Sequence, residues 1–165
     1  MNRAVVSAVL AAGALTLAGC GFTPLYGTPG VTAQLAGVQV STPPGRTGEL
    51  IREHLDDALA RNKGAAPAYR MDLALSETRY PRGVRVDNVA TRYEYVLIAD
   101  YTLVSSASGA PVKSGRARAQ VTYDSADQPY ASITAQQDAQ DRAAAECARK
   151  IQVELAAWIA TQGKS

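Results

Sequence analysis

Four arginines, Arg79, Arg82, Arg85 and Arg92, fall within fourteen residues, interleaved with Tyr80 and Tyr93 and with Asp87 as the one acid among them. An arginine fork meets a phosphate through two parallel N–H bonds, which a lysine ammonium does not do. Such a run is a candidate grip on a phosphate-bearing glycolipid headgroup. Arg116 and Arg118 lie on a later alternating stretch that should pair with residues 92–104, so they extend the same basic patch. The other reading of these side chains is cross-strand ion pairing with Glu94 and Asp100, beside a solvated loop. Eight of the ten aromatics are tyrosine. Tyrosine is favoured both in strands and at interfaces, so composition leaves that choice open.

Other chemistry has little to work with. His54 is the sole histidine and falls between Leu50, Ile51 and Leu55, with Glu53 and Asp57 close by. A metal or catalytic role would need partners that the sequence does not group around it, so a structural or solvent-facing histidine is the expectation. Two cysteines cannot build a disulfide scaffold or a multi-cysteine zinc site. The glycines are scattered rather than gathered after a strand, and no Gly-x-Ser-x-Gly elbow is present. No nucleophile, base and oxyanion hole assemble, so an enzyme is the poorer class and no cofactor or metal is expected. A net charge of +2 is too mild for a protein that coats nucleic acid.

The elements that must position the arginines follow from periodicity. Residues 33–40, with Leu35, Val38 and Val40, read as a short first strand, and Pro43-Pro44 marks a turn. Thr47 is placed to cap a helix over 48–62, whose Leu50, Ile51, Leu55, Ala58 and Leu59 share a face. Residues 69–77 alternate, with Tyr69, Met71, Leu73 and Leu75 on one side. Pro81 and Gly83 make the arginine segment a loop. Residues 92–104 and 112–123 alternate around a hairpin turn at 105–111, and a long helix over 131–161 closes the chain. The expected fold is an α/β (α+β) two-layer sandwich: a four-stranded mixed sheet with two helices on one face, in the order β-α-β-β-β-α. The opposite sheet face is left open to water or to a partner.

The first residues stand apart from this fold. Arg3 followed by an apolar run over 4–17 reads as an export signal over 1–19, too short to span a membrane as a helix. Leu17-Ala18-Gly19-Cys20 resembles the lipobox of bacterial lipoproteins. The resemblance implies lipid on the Cys20 thiol and a further acyl chain on its amine. Several chains together anchor stably where one is marginal. Residues 20–32 would then be a lipidated tether and 33–162 a single domain. Cys147, left as the lone thiol, is expected to be a small core residue on its helix.

Cys20-Gly21-Phe22-Thr23-Pro24-Leu25-Tyr26-Gly27 resembles the start of mature lipopolysaccharide-assembly lipoproteins of the LptE family in its alphaproteobacterial form. Arg46-Thr47-Gly48-Glu49-Leu50-Ile51-Arg52, Ala90-Thr91-Arg92, and a closing helix with Asp138, Asp141, Arg142, Ala143 and Ala144 are similar in kind and order. The resemblance implies a non-enzymatic outer-membrane lipoprotein that plugs the LptD barrel in a 1:1 complex and assists its assembly. It also implies a role in placing lipopolysaccharide in the outer leaflet and lipopolysaccharide binding, for which the arginines named above are the candidate residues. The alternative is another periplasm-facing lipoprotein, an adaptor or inhibitor of an envelope protein. A hydrolase built on His54 is the third reading.

Overall fold

A computed structural model describes residues 30–84, 90–125 and 128–162. Cys20, Arg85, the expected signal segment and nearly all of the expected tether lie outside the described residues. The elements run α1 (Val31–Ala36), β1 (Val38–Ser41), α2 (Arg46–Ala58), β2 (Tyr69–Val84), β3 (Ala90–Ser105), β4 (Pro111–Asp124) and α3 (Pro129–Gln162). The sheet order is β1-β2-β3-β4, with β1 parallel to β2 and the other pairs antiparallel. This is the expected mixed four-stranded α+β sandwich, with one helix more than anticipated.

Alternation builds the core. Met71 and Leu73 of β2, Tyr95, Leu97, Ala99, Tyr101 and Leu103 of β3, and Ala117, Ala119 and Tyr123 of β4 are buried on one sheet face. Ile51 and Leu55 of α2 and a stripe on α3 close over them. That stripe is rich in small residues (Ala139, Ala143, Ala144, Cys147, Ala148), and the strands below offer Ala99, Ala117 and Ala119. Small residues on both sides bring helix and sheet into close approach. With 34 residues α3 is about 51 Å long, comparable to the roughly 53 Å of the 16-residue β3. One helix therefore backs the long strands over most of their length.

Two expectations about the strands are corrected. Residues 33–40 are not one strand: Val31 and Leu35, four apart, bury one side of a helix in the core, and only Val38–Ser41 enters the sheet. The described parts of the arginine segment, residues 79–84 and 90–92, are strand rather than loop. β2 continues through Pro81 to Val84, with Arg82 opposite Arg92. β1 ends opposite Asp72, so from there onward β2 is an edge strand, where proline's missing N–H is tolerated.

Helix α2 also differs at both ends. Gly45, with φ +123°, precedes its first turn without a side-chain cap, and Thr47 is buried inside that turn. At the far end Ala60 adopts φ +50°. Its N–H bonds the Asp57 carbonyl and the Arg61 N–H bonds the Asp56 carbonyl, both at 3.0 Å. These two bonds make a Schellman ending with alanine where glycine is usual. The helix thus stops before Asn62-Lys63-Gly64.

Candidate functional site

Strand parity decides where each arginine points. Odd residues of β2 and β3 face the helices and even residues face the open side. Arg82, Arg92, Arg116 and Arg118 share the open face, whereas Arg79 faces the helices. There Arg79 donates to Gln136 Oε1 at 2.9 Å and its guanidinium lies 4.7 Å from the Tyr93 ring centre. Tyr93 stacks on Tyr123 at 5.7 Å. The structure therefore divides the sequence cluster between two faces.

On the open face the arginines are woven into cross-strand ion pairs. Arg116 holds Asp100 through two bonds, of 2.6 and 3.2 Å. Arg92 donates to Asp124 at 2.7 Å, and Arg82 to Glu94 at 3.1 Å while also lying over Tyr80. The bond to Arg92 holds the Asp124 carboxyl below its usual range and raises the arginine in turn. Asp100 does the same for Arg116. Arg118 is different: among the described residues its guanidinium has no ion-pair partner, and only its backbone carbonyl is engaged, by Lys150 Nζ at 2.7 Å. Across the ladder from Arg118 is Ile98, and beside Ile98 on the same face is Val96, only 5 % exposed. The face is thus an apolar centre framed by paired charges, with one available guanidinium beside it. A ligand phosphate meets Arg118 directly, whereas at Arg82, Arg92 or Arg116 it must displace a carboxylate.

Sequence reading missed several members of this arrangement. Asp124 and Gln136 each take one of the named arginines. Glu77, on the helix side, accepts from the Tyr95 hydroxyl at 2.6 Å and from Gln140 at 3.5 Å. Burial, followed by that carboxylate, raises the Tyr95 hydroxyl well above its ordinary range. The parity of β2, carried past Leu75, would have placed Arg79 and Glu77 on the helix side.

The remaining chemical residues are accounted for locally. His54 Nε2 bonds Asp141 Oδ1 at 2.8 Å, pinning α2 to α3, and among the described residues no hydroxyl or thiol bonds its ring. No group of three or more potential metal ligands occurs among the described residues. Cys147 is fully buried with its thiol 3.8 Å from the Leu97 carbonyl, and burial pushes it up to about 11. Among the described residues no helix is long and apolar enough to cross a membrane.

The model of the LptE family, described as lipopolysaccharide-assembly, matches residues 34–155. The chain belongs to the LptE family. Among solved structures it is similar to a candidate lipoprotein from Caulobacter crescentus, with 52 % identity over 81 % of this chain and 97 % of that one and a TM-score of 0.71. A minor lipoprotein from Acinetobacter baumannii and lipoprotein B from Nitrosomonas europaea share the fold. Each is 14 % identical over 74 % of this chain, and 91 % and 83 % of their own, with TM-scores of 0.55. No curated protein matches the chain. Membership in the LptE family ties the chain to lipopolysaccharide assembly and transport.

Proposed function

We propose that the chain is a non-catalytic lipoprotein, anchored through Cys20 to the outer membrane, that occupies the lumen of an LptD barrel in a 1:1 complex. It would assist assembly of that barrel and help deliver lipopolysaccharide to the outer leaflet. Family membership over 34–155 carries the reading. The surface supports it: a porin-like lumen is polar and wet, and an open sheet face of paired charges suits such surroundings better than a greasy one. The length suits it too, since a body about 51 Å long along α3 exceeds the roughly 40–45 Å of a bilayer with its headgroups.

Within that role Arg118 is the first contact for a lipopolysaccharide phosphate, and Arg82, Arg92 and Arg116 are contacts released by carboxylate exchange. Arg79 would serve from the helix side, and Arg85 belongs to the same proposal. The test is binding of purified lipopolysaccharide by Arg118→Glu and by Arg79→Glu/Arg82→Glu. Both should bind more weakly than the parent while circular dichroism stays unchanged. Unaltered binding by the folded variants would reject the arginine assignment. Recovery of a soluble partner in place of a barrel would favour the adaptor reading.

A further inference from the structure

At the end of the sheet away from Arg79, Arg82 and Arg92, Tyr69, Ser105, Val112, Trp158 and Gln162 line an open groove of about 340 Å³. Tyr69 and Trp158 meet edge to face at 6.0 Å, and Val112 is 40 % exposed beside them. The first described residues join the fold at this same end. The Gly37 carbonyl accepts the N–H groups of Ala68 at 2.9 Å and Tyr69 at 3.2 Å. Helix α1 spans only six residues before it, about 9 Å, so Gly30 lies within roughly 11 Å of Gly37. Nine residues lie between Cys20 and Gly30, a reach of at most about 35 Å over the ten steps. The exposed Tyr130 and Ile133 lie at the other end of α3, roughly 40 Å further along, and are poorly placed to share the anchor's surface.

We propose that this end is a membrane-contact surface, with Tyr69, Val112 and Trp158 resting in the headgroup region of the bilayer that holds the lipid anchor. The inference rests on acylation at Cys20 and applies to the anchored chain before a barrel is engaged. Tryptophan and tyrosine favour that zone because each joins a large apolar ring to a polar tip. Lys113, next to Val112, is ion-paired with Glu154 at 2.7 Å. The contact therefore brings no uncompensated lysine to the surface and does not depend on anionic lipid.

Trp158 is the sole tryptophan, so emission reports this groove alone. The experiment reconstitutes the full acylated chain, without a barrel, in phosphatidylcholine vesicles carrying lipids brominated either near the headgroup or near the chain terminus. Bromine near the headgroup should quench Trp158 more than deep bromine, and Val112→Glu should lose much of that quenching with its circular dichroism unchanged. Full emission from a chain that floats with the vesicles would overturn the contact while leaving the anchor intact. Emission that shifts with protein density and ignores bromine would assign the groove to a second copy and equally overturn it. A chain that does not float defeats the anchoring reading, and this inference with it.

Discussion

Gly48→Ala is expected to destabilise the fold, although alanine is the better helix former. Gly48 sits buried in the first turn of α2 beneath the Thr42–Gly45 turn. A Cβ there would fall 2.0 Å from the Pro43 carbonyl oxygen and 3.2 Å from its carbon, where ordinary contact begins near 3.4 Å. Helix propensity favours alanine by about 1 kcal/mol. Against this, the turn must retreat by more than an ångström, and it is stiffened by Pro43 and Pro44, whose φ angles are fixed. Overpacking of this kind costs about 1–3 kcal/mol and more where the neighbour is backbone. The net expectation is a loss of about 2 kcal/mol, or about 6–8 °C in Tm. The assay is urea unfolding of a chain beginning at Gly21, followed by Trp158 emission. Gly64→Ala is the control: the nearest atom to a Cβ there is Asn62 Oδ1 at 3.4 Å. Its stability should stay within about 0.5 kcal/mol of the parent. Equal or greater stability of Gly48→Ala would refute the packing argument.

Other outcomes follow from the same geometry. Ala60→Gly should stabilise by about 0.5–1 kcal/mol in the same unfolding assay, because it relieves φ +50° at the end of α2. Gly115→Ala should destabilise by about 2 kcal/mol, since its Cβ would lie 2.6 Å from the Tyr101 hydroxyl and 2.7 Å from the ring. Asp100→Asn, which frees Arg116, should tighten lipopolysaccharide binding in a flotation assay. Arg92 lowers the Asp124 carboxyl and Arg149 lowers Glu146 from their ordinary 3.8 and 4.5. Their contribution is present above those values and lost as acid protonates them, so stability should fall below about pH 4, weakly and less so in salt. For Cys147 the sign reverses: a thiol raised from 9.0 to about 11 favours the fold below pH 9 and loses that contribution as pH rises through 11. The native chain at pH 8 should resist a thiol reagent that labels it fully once unfolded.

Much of this arrangement is legible in the sequence because period-two alternation survives in three strands. A hairpin turn centred near residue 108 already sets Asp100 against Arg116 and Ile98 against Arg118, as the ladder does. What was hidden depends on context beyond a short window. Val31 and Leu35 become helical because α3 offers them a surface, and three apolar residues at 35, 38 and 40 do not distinguish that helix from a strand. Pro81 reads as a breaker until β1 is known to stop short and leave β2 at an edge. Once β2 is extended, the parity of Arg79 follows. The division of the arginines between two faces was therefore lost with the boundary of one strand. The partners Asp124 and Gln136 lie 32 and 57 residues from their arginines, so only the folded topology brings them together.

The most direct measurement is affinity purification of the intact acylated chain from outer membranes, with a photo-crosslinking residue at position 118. The expected result is an equimolar β-barrel partner of LptD type and a crosslink from position 118 to that barrel or to lipopolysaccharide. Recovery of the chain alone, or bound to a soluble enzyme with position 118 uncrosslinked, would contradict it.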